Sequence, residues 1–219
     1  IILCLYLILK NLSKRIQILV LGILSFAGIA AIIYNLVAWN SPFEYLPFHL
    51  CSINALLLPI TVFTRNKTLG NLLLFWSLGA ALALIVNNAM AETQILSLTF
   101  SFYYFPHVLE FGIPILLFKL KLIDKDYKCL IPTLGITLGI FTTVHFINIG
   151  LNEYLASNNV IDSAGNLIQV NYMYTITPEN PLLALFYSVI PYQYWYLLLA
   201  LPIITIYLLI ILIMILNTC

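Results

Sequence analysis

His107 and Glu110 stand three residues apart inside the apolar run Ser101–Lys119, SFYYFPHVLEFGIPILLFK. On a helix that spacing puts both on one face, with Tyr103 four residues before the histidine on the same stripe. A carboxylate at the centre of a bilayer costs about 2.5–3.5 kcal/mol on insertion scales, so Glu110 must face a bundle interior, find a partner or carry a proton. An imidazole beside a carboxylate can serve as an oriented general base or as a proton relay.

The two other histidines come in similar company. His49 sits with Cys51, Ser52 and Asn54 in LPFHLCSINALLLP, and His145 precedes Asn148 by three residues in TVHFINIGL. At 1.5 Å per residue, His49, His107 and His145 are expected about 5, 9 and 6 Å below the outer edge of a hydrocarbon core roughly 30 Å thick. Three imidazoles from three spans at one depth predict a shared, outward-facing polar chamber. Its chemistry admits several readings. In a catalytic one, a histidine is the base, Glu110 or Asn148 orients it, and Cys51 or Ser52 is the nucleophile. In a structural one, each histidine hydrogen-bonds a neighbouring helix, as buried polar groups in membrane bundles do. In a transport one, His107 and Glu110 titrate during translocation. Histidine ligands also suit zinc or iron, but no HxxxH or HExxH spacing supports a metal or haem, so neither metal nor cofactor is expected. Cys51 lies two residues from His49 and shares no helix face with it, so it is either a nucleophile paired across the bundle or a small packed side chain.

The elements that must position these groups follow from composition. The 219 residues are 63% hydrophobic and only 8% charged, with mean hydropathy +1.04, which excludes a soluble globular domain. Apolar runs of spanning length predict an all-α, polytopic membrane helical bundle of about seven transmembrane helices. They are a short first run Ile1–Leu9, then Ile16–Trp39, Leu46–Phe63, Leu69–Asn87, Ser101–Phe118, Cys129–Leu151 and Tyr192–Leu216. All nine basic residues, Lys10, Lys14, Arg15, Arg65, Lys67, Lys119, Lys121, Lys125 and Lys128, follow spans one, three and five. The positive-inside rule then puts the N-terminus outside and the C-terminus inside. The whole chain, 1–219, reads as a single transmembrane domain of a multi-pass cell-membrane protein. Its expected partners are membrane lipids and not nucleic acid.

Cys4, Cys51, Cys129 and Cys219 show no CxxC spacing, hence no disulfide framework and no thiolate zinc site. With no initial Met and a first run ending at Lys10, the start is expected to be trimmed, and that run lacks the leader and cleavage pattern of a signal peptide. Pro106 and Pro114 loosen the backbone on either side of the polar pair. Tyr34 and Trp39 are expected as interface anchors, and Asn87 with Asn88 closes span four. Residues 152–181 are the one polar stretch long enough to cap the outer side, and Asn171 brings hydrogen-bonding groups back to the interface there. Beyond it, a short interfacial or re-entrant helix is expected up to Ile190, then a break at Pro191 and a last helix interrupted by Pro202.

LPFHLCSINALLLP, the TRNK turn, FWSLGAALAL, YYFPH, TVHF and NYMY occur in that order between Leu46 and Ile204. Together they resemble the YwaF-like bacterial integral membrane protein family, related to animal transmembrane protein 164. The resemblance implies a seven-span bundle and, from the animal member, an acyltransferase that remodels phospholipids with a cysteine and a histidine. It also implies a distant likeness to membrane hydrolases of fatty-acid esters that use a threonine and a histidine. The matching positions are His49 in PxH, His107 in YYxxH, His145 in xHF, and Asn171 with Met173 in NxM. The cysteine departs: the animal pattern has it directly before the first histidine, where this chain has Phe48, and Cys51 lies three residues later. The expected function is therefore lipid acyl transfer or ester hydrolysis. In it His107 is the base, Glu110 holds it, Cys51 or Ser52 attacks, His49 and Asn171 steady the oxyanion, and Asn148, Tyr103, Asn54 and His145 line the pocket. A small-solute or ion transporter and a non-catalytic accessory subunit are the alternatives.

Overall fold

The computed structural model describes residues 1–38, 42–86, 93–95, 97–124, 126–162, 164–179, 181–200, 202 and 206. Among these the regular elements are helices, with no strand beyond an isolated bridge between Ile161 and Leu167. By contacts the chain divides into two compact units, Ile1–Thr137 and Leu138–Cys219. The expectations for Trp39, Asn87, Asn88 and most of the last span fall outside the described residues.

The first unit holds α1 (Ile2–Leu9), α2 (Lys14–Ser25), α3 (Ala27–Ala38), α4 (Leu50–Thr64), α5 (Lys67–Val86) and α6 (Leu98–Lys119). α2 and α3 form one apolar column, Lys14–Ala38. It is interrupted where the Ser25 hydroxyl donates to the Gly22 carbonyl at 2.6 Å and the Phe26 N–H bonds back three residues to Ile23 at 3.3 Å. Lys14–Ala38, Lys67–Ile85, Leu98–Lys119 and Leu130–Ser157 are long and apolar enough to cross a membrane, and Leu50–Thr64 is a shorter apolar helix. α4 starts four residues later than its apolar run because the chain through His49 is still turn and extended backbone.

α6 starts earlier than the expected Ser101. The Ser97 hydroxyl accepts the Phe100 N–H at 3.1 Å, a side-chain cap that satisfies one of the orphan donors of the first turn. His107 lies about 14 Å along the helix and Glu110 about 18 Å along a rod of roughly 33 Å. Tyr34 of α3 stacks on Phe102 of α6 at 4.5 Å and its hydroxyl meets that of Thr99 at 3.2 Å. The basic turns gather at one end of this unit: Lys14 Nζ donates to the Lys121 carbonyl at 3.4 Å, and Lys67 pairs with Asp124 at 3.8 Å.

α7 (Leu130–Ser157) is a single helix of 28 residues, about 42 Å long and so longer than a hydrocarbon core of roughly 30 Å. Asn152–Ser157, expected in the external segment, therefore continue the helix. In the second unit the chain after Asn158 turns at Asp162, which accepts N–H groups from Ala164 at 2.8 Å and Asn166 at 2.9 Å. It then runs back along one face of α7. Asn152 pairs with both peptide groups of Val170, donating at 2.9 Å and accepting at 2.7 Å. α8 (Pro181–Val189) ends just before the break expected at Pro191, and Trp195–Leu199 form a 3-10 turn.

Candidate functional site

In the first unit the proline-flanked middle of α6 carries His107 and presents Glu110 to α3 and α4. The His107 ring stacks on Tyr103 at 4.5 Å, and its Nδ1 lies 2.6 Å from the Tyr103 carbonyl oxygen. A carbonyl only accepts, so Nδ1 carries a proton, and in the uncharged form of the ring Nε2 is then the acceptor. Tyr103 is itself tied to α5, its hydroxyl donating to the Ala83 carbonyl at 3.1 Å. The ring is thus held by a residue of its own helix four positions back.

Glu110 is 3% exposed and Asn54 1% exposed. Asn54, His107 and Cys51 lie near the Glu110 carboxyl. Close packing of α3 on α4 makes room for the acid. A Cβ on Gly28 would stand 2.5 Å from the Ala55 Cβ and 3.4 Å from Glu110 Oε1. Among the described residues neither Glu110 Oε2 nor Asn54 Oδ1 has a hydrogen-bond partner.

Cys51 is the second residue of α4, following His49 at the N-cap. The first N–H of this helix to bond backwards is that of Ile53, to the His49 carbonyl at 3.0 Å. The N–H groups of Leu50, Cys51 and Ser52 therefore open from the first turn. Cys51 is a free cysteine beside Ser52, and the residue is half-buried.

The remaining residues belong to the second unit. His145 Nδ1 is 3.2 Å from the Thr175 hydroxyl, and its ring lies against Tyr194 at 5.2 Å. Asn148, fully buried, donates to the Tyr172 carbonyl and to the Thr175 hydroxyl, each at 2.8 Å, and accepts the Tyr172 N–H at 3.0 Å. Both of its N–H donors are occupied by the protein itself. Asn171 organises its own loop, donating to Thr177 at 2.9 Å and to Glu179 at 2.6 Å while accepting the Ile176 N–H at 3.0 Å.

The structure thus collects Cys51, Asn54, Tyr103, His107 and Glu110 around one core in the first unit. His145 and Asn148 join a second polar cluster in the other unit. Sequence reasoning missed Asn152 and Thr175, while Gly28 is one of the small residues of span two that the sequence marks for close helix contact. The available signal for Asn152 was its place four residues after Asn148, on the face of α7 that already carries two polar groups. Nothing local marks Thr175.

A model of the TMEM164 family matches residues 1–215 of the chain. No curated protein and no solved structure matches it.

Proposed function

Taking as premise that the chain belongs to the TMEM164 family, we propose that it transfers or hydrolyses acyl esters of membrane lipids, with His107 as general base. The proposal includes placement among the YwaF-like bacterial members, on the six motifs in order, and a seven-pass arrangement in the cell membrane with the N-terminus outside, on the grouping of the basic loops. The observation that carries the chemistry is the pinning of His107: Nδ1–H to the Tyr103 carbonyl, the ring stacked on Tyr103, and Nε2 left as acceptor. A histidine so oriented has its basic nitrogen defined before any substrate arrives.

Cys51, with Ser52 as the oxygen alternative, attacks the carbonyl carbon of the lipid ester, and the proton leaving sulfur passes to His107 Nε2. The Cys51 and Ser52 N–H groups of the first turn of α4 are donors for the oxyanion that develops, with His49 flanking the same turn. Collapse of the tetrahedral species expels the alcohol, which takes the proton back from His107. A second hydroxyl, from another lipid in transfer or from water in hydrolysis, then attacks the thioester, and its proton returns to sulfur by way of His107. Asn148 and Asn171, whose amides are engaged in the second unit, have no part in these steps.

The test is lipidomics of cells producing the wild type or His107→Ala at equal abundance, joined to acyl exchange by purified protein in liposomes. Loss of a defined set of acyl species and of exchange in the variant is the expected result. Identical lipid profiles, or equal exchange, would refute the reading.

A further inference from the structure

The mechanism above leaves Glu110 without a task, and its surroundings are unusual for the middle of an apolar bundle. Two side-chain oxygens, Glu110 Oε2 and Asn54 Oδ1, are buried and have no hydrogen-bond partner among the described residues. Two backbone carbonyls of the same region have lost their helical donors to proline. Pro59 has no N–H for the carbonyl of Ala55, and Pro114 has none for the carbonyl of Glu110. Ala55 and Glu110 Oε1 both lie against Gly28, and α3, α4 and α6 pack on one another.

We propose that Glu110 and Asn54, with the proline-released carbonyls of Ala55 and Glu110, bind a monovalent alkali cation, sodium, in the core of the first unit. Buried acceptors of this kind must be met by a donor or a positive charge. A proton on Oε2 that donates to Asn54 Oδ1 satisfies those two oxygens and leaves the two backbone carbonyls unmatched, whereas a hard cation gathers all four oxygens at once. Charge decides the valence. One carboxylate exactly offsets one positive charge, and a divalent ion would leave a net charge in a low-dielectric interior. Among the described residues no group of three or more His, Cys, Asp and Glu forms a divalent-type cluster. Backbone carbonyls without a helical donor are a known source of sodium ligands in membrane proteins. Binding here does not depend on the acyl-transfer reading. A cation at Glu110 would in addition offset the carboxylate charge beside Cys51.

The experiment measures melting temperature of the full chain in detergent while NaCl replaces N-methyl-D-glucamine chloride at constant ionic strength. A saturable rise is expected, roughly 5–10 °C at a hundredfold excess over Kd by mass action and the usual size scaling. Superimposable melting curves in the two salts would overturn the site. Glu110→Gln keeps the size and an amide in place but removes the charge, and its curve is expected to be flat with sodium; a full rise in that variant would overturn the assignment to Glu110. Should Glu110→Gln fail to fold, Asn54→Leu supplies the second arm. Removing that ligand oxygen without changing the charge should raise the sodium midpoint at least tenfold, and an unchanged midpoint would count against the site. Because the readout is melting and not turnover, an inactive but sodium-stabilised protein would separate this inference from the proposed chemistry.

Discussion

Asn148→Ala distinguishes a staple from a substrate ligand. The side chain is fully buried and makes three hydrogen bonds, donating to the Tyr172 carbonyl and the Thr175 hydroxyl and accepting the Tyr172 N–H. Each is worth about 0.5–1.5 kcal/mol net, and alanine strands both peptide groups of Tyr172 in a site where Tyr172 is only 1% exposed. A local loss of about 2–4 kcal/mol follows. If the returning segment opens on its own, that loss speeds hydrogen exchange at the Tyr172 amide roughly 30- to 700-fold, at tenfold per 1.4 kcal/mol. Exchange mass spectrometry of peptides covering residues 168–177 in detergent measures it. Asn152→Ala is the companion variant, with the effect centred on Val170, and Asn158→Ala, whose amide reaches only the exposed turn at Tyr154, is the control. Exchange at Tyr172 within threefold of wild type in Asn148→Ala would refute the reasoning. Loss of lipid turnover with unchanged exchange would instead make Asn148 a substrate ligand.

Two further outcomes test the packing and the charged turn. Gly28→Ala places a Cβ 2.5 Å from the Ala55 Cβ and 3.4 Å from Glu110 Oε1; overpacking of this kind costs about 1–3 kcal/mol. Melting of the variant should fall accordingly and recover most of the loss in the double variant Gly28→Ala with Ala55→Gly, whereas additive losses would refute the contact. For Asp162, the Asn166 N–H above all, then the Asn166 side chain and the Ala164 and Gly165 N–H groups, hold its carboxyl below the usual range. A depressed carboxylate contributes fully above its ordinary value of about 3.9 and loses that contribution as pH falls through the lower folded value. The Ala164 and Asn166 amide resonances should therefore stay native down to about pH 4 and shift only below it. A midpoint at or above that value would contradict the assignment.

What was legible in the sequence is what depends on neighbours along the chain. Hydropathy marked the apolar columns Lys14–Ala38, Lys67–Ile85, Leu98–Lys119 and Leu130–Ser157 to within a few residues, because a bilayer demands that each span satisfy its own backbone and cover its own length. The i, i+3 spacing of His107 and Glu110 and the prolines beside them pointed to the buried stripe for the same local reason. The break at Pro191 followed from the missing N–H. The helix starts differed where local backbone signals went unweighed, the Ser97 cap before α6 and the extended His49 before α4.

Tertiary structure alone decided which polar groups meet. His107 is held by Tyr103, whose orientation depends on Ala83 of another helix. Asn54 and Cys51 of α4 lie near Glu110 of α6, and Gly28 of α3 packs against both Ala55 and that carboxyl. Asn148, Asn152 and His145 bond groups 18 to 30 positions away, so their roles depend on the path of a segment that carries no periodic pattern of its own. Apolar burial in lipid is non-directional and can be read from composition, whereas hydrogen bonds are short and directional. Which of them form is known only once distant parts of the chain have been brought within about 3 Å.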